Sequence, residues 1–113
     1  MSDDRLYLIH VVESIERIED YTREGRDVFM SSPMVQDAVV RNFEIIGEAV
    51  KQIPILLKEE HPDIPWRRIA GLRDVLIHQY MSVDLEAVWA ITGGDLPEFK
   101  RAVTEILAGM QGR

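Results

Sequence analysis

Ser32-Pro33-Met34-Val35-Gln36-Asp37-Ala38-Val39-Val40-Arg41-Asn42-Phe43-Glu44-Ile45-Ile46-Gly47-Glu48-Ala49-Val50 is the stretch on which the fold turns. A serine oxygen can accept an orphan backbone N–H at a helix start, and a following proline has no N–H to leave unpaired. Behind this pair Val39, Phe43, Ile46, Val50, Ile53 and Leu57 recur at helical spacing, so a helix is predicted from 33 to about 59. Pro54 lies inside that stripe and deprives the Val50 carbonyl of its usual donor. The helix is therefore expected to bend there and recover beyond it.

Working outward, Leu8, Val11, Val12, Ile15 and Ile18 form a first stripe with Glu13, Glu16 and Asp20 on other faces, which predicts a helix over 4–23, loosened at Gly25. On the other side, His61-Pro62-Asp63-Ile64-Pro65-Trp66 ends the long helix and starts a short one at Pro65. Ala70-Gly71 separates that turn from a helix over 72–80. Asp84 and Glu86 favour the first turn of a last helix over 84–109, whose apolar residues run from Leu85, Val88 and Trp89 to Leu96, Phe99, Val103, Ile106, Leu107 and Met110. Within it, Asp95 and Glu98 are spaced as a capping box, but the ring of Pro97 would equally meet the carbonyl of Gly93 in a continuous helix; one kinked helix is the favoured reading. No run alternates long enough for a sheet. The expected fold is all-α, an antiparallel bundle of four main helices plus short helical turns, in a single domain over residues 1–113.

The chain has 113 residues, 46% of them hydrophobic and 29% charged, a mixture that neither a disordered nor a membrane chain would have. No apolar run approaches the roughly 20 residues needed to span a bilayer, and the acidic start Met1-Ser2-Asp3-Asp4 is unlike a basic leader, so a cytoplasmic protein is expected. There is no cysteine, which excludes disulfides and thiolate chemistry. His10, His61 and His78 are too scattered to suggest a metal cage, and no phosphate loop or cofactor motif is present, so neither metal nor cofactor is expected. The formal charge of −7 argues against a broad nucleic-acid grip. It is unevenly spread, however. Residues 61–83 hold Arg67, Arg68 and Arg73 against Asp63 and Asp74, and any anionic ligand belongs there. A chain this small also gains buried apolar area by pairing with a second copy.

The informative segment is Arg73-Asp74-Val75-Leu76-Ile77-His78-Gln79-Tyr80. Asp74 and His78 are four apart, which lets a carboxylate accept an imidazole proton on one helix face. Arg73 and His78 lie about 140 degrees apart around an ideal helix, so long side chains or a second subunit must bring them to one phosphate. Taken singly, each residue has an ordinary reading. Arg73 with Asp74 is a common ion pair, His78 a cap or packing residue, Tyr80 an interface tyrosine, Arg67 and Arg68 a solvated face, Trp66 a bundle-edge anchor, and Met30, Met34 and Met81 filler.

Together, arginine, four residues, histidine, any residue and tyrosine resemble the signature of the HEPN superfamily, in its HepT-like branch. Phe43-Glu44-Ile45-Ile46-Gly47-Glu48-Ala49, Ile64-Pro65-Trp66, and Val83-Asp84-Leu85-Glu86-Ala87-Val88-Trp89 with Asp95-Leu96-Pro97 resemble further blocks of that family, in the same order. The resemblance implies a dimeric helical bundle whose two copies share a cleft lined by arginine and histidine. It implies a metal-independent endoribonuclease toxin, restrained by a small cognate nucleotidyltransferase that adenylylates the motif tyrosine. Arg73, His78 and Asp74 are then the catalytic candidates, Tyr80 the adenylylation site, and Arg67, Arg68 and Tyr80 candidate RNA contacts. Asp74 departs from the asparagine common in the superfamily and adds negative charge where phosphate would enter. The alternative is a catalytically silent dimeric partner that binds a nucleotidyltransferase or a nucleotide.

Overall fold

The computed structural model describes residues 3–72 and 84–111. Seven helices occur among them and no strand: α1 Asp3–Tyr21, α2 Arg26–Ser31, α3 Pro33–Gln52, α4 Ile55–Glu60, α5 Trp66–Ala70, α6 Leu85–Gly93 and α7 Asp95–Gln111. The all-α bundle expected from the apolar stripes is the observed architecture. The helix expected over 72–80 lies, beyond Leu72, outside the described residues.

α1 is the central member, packed most extensively on α3 and next on α7. Its direction opposes both. Lys100, early in α7, reaches Glu19 near the end of α1, while Met110, at the other end of α7, shares a cavity with Asp4 and Arg5. The buried faces are the stripes read from sequence: Leu8, Val11, Ile15 and Ile18 from α1, Val39, Phe43, Ile46 and Val50 from α3, and Leu96, Phe99, Val103 and Ile106 from α7. Removing such a side chain leaves a cavity at a cost of about 2–5 kcal/mol, so the three-helix core is what orients everything attached to it.

The caps are as expected at two places. The Ser32 hydroxyl accepts from the Val35 N–H at 3.2 Å, with Pro33 as the first residue of α3. The Asp84 carboxylate accepts from the Ala87 N–H at 3.0 Å and opens α6.

Several boundaries differ from the expectation, each for a local reason. Pro54 breaks the second helix outright. Proline disfavours helical backbone in the residue before it, and Ile53 is extended at φ −69°, ψ 130°. The Val50 carbonyl takes the Ile53 N–H at 3.2 Å instead, and α4 starts afresh after the proline. The favoured single kinked helix over 84–109 is two helices separated at Gly94, whose N–H closes α6 on Ala90 at 3.0 Å. Pro97 thereby falls in the first turn of α7, where its missing N–H has no intrahelical partner to lose.

Gly25, read as a loosening, instead sits at φ +99° and introduces α2, a six-residue helix with no sequence signal long enough to reveal it. Only glycine adopts such a φ without strain. The Gln36 amide then donates to the carbonyls of Phe29 and Met30 at 2.9 and 3.1 Å, tying the end of α2 to α3. Met30 packs against the core as expected, but Met34 is 79% exposed and is no filler. Met81 is outside the described residues. No described helix is long and apolar enough to cross a membrane.

Candidate functional site

Arg73, Asp74, His78 and Tyr80 lie outside the described residues; what the fold fixes is the chain on both sides of them. On the entry side, the turn 61–65 delivers α5. The Trp66 N–H donates to Ile64 at 2.8 Å and its indole N–H to the His61 carbonyl at 3.0 Å, while its ring meets Phe99 edge-on with centroids 5.9 Å apart. Trp66 thus anchors the bundle edge, as its sequence context suggested. Ile69 and Leu72 are buried. The Arg68 guanidinium donates to Asp95 at 2.6 Å, joining α5 to the start of α7.

A third contact fixes α5 against α3. Gly47 is buried in the middle of α3, where glycine costs a helix about 1 kcal/mol relative to alanine. A Cβ at this position would lie 3.3 Å from the Ala70 carbonyl oxygen. Backbone rests on backbone here, directly before Gly71 and Leu72.

On the exit side, Asp84 caps α6 and Val88 is buried. Glu86 pairs with Arg26 of α2, and Trp89 packs on Phe29 with centroids 5.4 Å apart at 36°. The two ends of the 73–83 segment are therefore held by overlapping partners: α3 and α7 at its start, α7 and α2 at its finish.

Of the six candidate residues, Arg67 and Arg68 are described. Both are exposed. Arg68 is engaged with Asp95, whereas Arg67 pairs with no acidic side chain among the described residues. An exposed pair such as Arg68–Asp95 contributes about 0.2–1 kcal/mol, little enough for a polyanion to compete for the arginine.

The sequence reading did not pick out a polar cleft of about 510 Å³ between α1 and α3, lined by Tyr7, His10, Arg41, Glu44, Ile45, Glu48, Ala49 and Gln52. Its only signal was spacing, Tyr7 with His10 and Arg41 with Glu44 and Glu48, which is the pattern of any solvated helix face. Among the described residues no three His, Asp or Glu side chains converge as a metal-binding group.

The family profile described as "Ribonuclease HepT-like" matches residues 11–106, a span that takes in the motif and the anchors on both sides of it. The chain belongs to the HepT-like ribonuclease family. Among relatives, it is 46% identical over 95 residues to the "Probable ribonuclease HepT" of Thermococcus cleftensis, covering 83% of this chain and 86% of that protein. It is 40% identical over 111 residues to a "Putative RNase" of Caldanaerobacter subterraneus subsp. tengcongensis, covering 95% and 96%. It is 43% identical over 106 residues to the "Gamma-glutamylcyclotransferase and putative RNase" of Methanocaldococcus jannaschii, covering 93% of this chain but spanning only 48% of that protein. No solved structure matches the chain.

For this HepT-like chain, the matched span starts within α1 and ends within α7. It includes Gly47, the Trp66–Phe99 contact, the Arg68–Asp95 pair and the Phe29–Trp89 contact, so the holding of the motif's two ends falls inside the family domain.

Proposed function

We propose that this protein is a metal-independent endoribonuclease that acts as a homodimer, its single domain spanning residues 1–113. The observation that carries this reading is the family match across residues 11–106, within which Arg73-Asp74-Val75-Leu76-Ile77-His78-Gln79-Tyr80 stands between two ends tied to a rigid core. RNA supplies its own nucleophile. The 2′-oxygen attacks phosphorus, the bond from phosphorus to the 5′-oxygen breaks, and one proton leaves the 2′-hydroxyl while another reaches the departing 5′-oxygen. A histidine near its ordinary titration range suits either transfer. His78 of one copy performs one, and His78 of the second copy performs the other.

Arg73 holds the non-bridging oxygens, since a planar guanidinium donates two charge-assisted bonds to developing phosphoryl charge. Asp74 orients His78 and favours its protonated form. Arg67, free of acidic partners among the described residues, and Arg68, in a weak surface pair, extend the contact to neighbouring phosphates. Tyr80 is the acceptor for an AMP group that a cognate nucleotidyltransferase transfers from ATP with release of pyrophosphate, which would place bulk and negative charge over the cleft and silence it. In this reading the protein is a toxin held by such an antitoxin and works in the cytoplasm.

The deciding experiment offers single-stranded RNA to metal-free protein in EDTA. Cleavage leaving a 2′,3′-cyclic phosphate is expected, with DNA untouched because it lacks the 2′-hydroxyl. His78→Ala and Arg73→Ala should each slow cleavage by roughly 10²-fold or more while the bundle stays folded. Tyr80→Phe should remain toxic and escape adenylylation. The net charge of −7 and the carboxylate of Asp74 favour a second reading, a silent dimeric partner that binds a nucleotidyltransferase or a nucleotide. Absence of RNA cleavage in EDTA and in magnesium, across varied substrates, would leave that reading as the better one.

A further inference from the structure

Gly47 stands where a helix former would serve α3 better, and what it faces gives the reason. An added Cβ would meet the Ala70 carbonyl oxygen at 3.3 Å and that of Ile69 at 3.9 Å, both belonging to the last turn of α5. Gly109 of α7, by contrast, has nothing within 4 Å of the same construction. Gly71 and Gly94 would meet only carbonyls of the helix just before them, Arg67 at 3.4 Å and Ala90 at 3.2 Å, so among the described glycines the close approach to another helix is particular to Gly47. It falls at Ala70, three residues before Arg73, and the same turn is also held on α7 by Trp66 on Phe99 and by Arg68 on Asp95.

We propose that Gly47 is a positioning residue for the ribonuclease reaction: by letting the α5 backbone rest on the α3 backbone, it fixes where the chain sets out toward Arg73. This rests on the ribonuclease reading above. A methyl group at position 47 obliges the Ala70 carbonyl to retreat by a few tenths of an ångström. α5 is also tied to α7 through Trp66 and Arg68, which opposes a retreat of the turn, and the displacement is then expected to pass along the chain toward Arg73. Misplacing a catalytic group by about 1 Å can cost roughly 10²-fold in rate. A shift of a few tenths should then lower kcat by about five- to tenfold, with KM within about twofold.

The test compares the full-length wild type, Gly47→Ala, Gly109→Ala and Asp95→Asn in RNA cleavage with EDTA, with the melting temperature of each. Gly109→Ala should gain stability from its helix propensity and cleave at the wild-type rate. Gly47→Ala should lose about five- to tenfold in kcat without a matching loss of melting temperature, a combination that a merely structural defect does not produce. Asp95→Asn, which weakens one of the ties between α5 and α7 and leaves Trp66 on Phe99, should also lower kcat, and should lower KM slightly as Arg68 is loosened. Wild-type turnover by Gly47→Ala overturns the proposal while leaving the ribonuclease reading intact. Should Gly47→Ala fail to fold, Asp95→Asn decides: lowered kcat supports the positioning of α5, and unchanged kcat overturns it. A wild type that cleaves no RNA overturns both readings together.

Discussion

The indole N–H of Trp66 donates to the backbone carbonyl of His61 at 3.0 Å, closing the turn that feeds α5. Trp66 is buried, so its replacement by phenylalanine leaves that carbonyl with only the Ile64 N–H, at 3.2 Å, while keeping an aromatic ring against Phe99. Trp66→Phe should cost about 0.5–1.5 kcal/mol, the net value of one such bond. Trp66→Ala should cost about 3–5 kcal/mol through the cavity as well. Urea midpoints at constant slope measure both, and a Phe variant as stable as wild type would show that the bond contributes nothing.

Ser32 supplies the cap of α3, accepting from Val35 at 3.2 Å. Ser32→Ala should destabilise by about 1 kcal/mol, and Ser32→Asp should retain the stability, since its carboxylate both caps and complements the helix dipole. Thermal melts of the two variants side by side check this. Equal losses in both would mean that Pro33 alone sets the start of α3.

The three long helices were legible because their apolar residues repeat over many turns: Leu8 to Ile18, Val39 to Val50 and Leu96 to Ile106 each outlast the noise of local composition. Where the reading failed, two local effects competed. At Pro54 and Pro97 the sequence shows only that an N–H is missing, and whether the chain bends or breaks depends on whether a neighbour can stop the helix. Ile53 can, by turning extended, and Gly94 can, by closing α6. α2 was illegible because six residues make no period. The candidate motif was legible as an ordered set of residue types, with Trp66 as a bundle-edge anchor and Asp84 as a helix start, but the contacts between distant elements that hold its ends were not. Gly47 reads as an unremarked glycine in a helix, and Arg68–Asp95 spans 27 residues of sequence. Proximity of that kind is created by the fold.

Lys100 joins α7 to α1, with Nζ 2.8 Å from Glu19 and 3.8 Å from Glu16. Its pKa is raised above the ordinary 10.5, chiefly by the hydrogen bond to Glu19; burial opposes the shift and Glu16 adds to it. A pKa raised in the folded state means that the bridge's contribution is fully present below about 10.5, the unfolded value, and is lost as pH climbs through the higher folded value. The site is largely exposed, so the contribution is about 0.2–1 kcal/mol. Lys100→Met keeps the aliphatic stem and should lower the melting temperature slightly at pH 8. The gap to wild type should close as the pH climbs through the raised folded value; a gap that persists beyond it would assign the effect to packing instead.

Asp74 decides how the proposed chemistry is tuned, because a carboxylate four residues before His78 has two opposed effects. In the proposed mechanism it would repel incoming phosphate, and it would stabilise the protonated imidazole that delivers a proton to the 5′-oxygen. Asp74→Asn removes the charge and keeps the shape, so the two effects separate in the kinetic constants. Loss of repulsion should lower KM for RNA and weaken its dependence on salt. Loss of support for the imidazolium should lower kcat, more at neutral and alkaline pH than at acid pH, where the ring is protonated without help. The expected result is therefore a variant that binds RNA more tightly and cleaves it more slowly, with the deficit in kcat shrinking as the pH falls. Rates followed from pH 5 to pH 9 in EDTA check this. A variant whose kcat rises at every pH would show that the carboxylate only repels substrate, and would remove Asp74 from the catalytic set while leaving Arg73 and His78 in place.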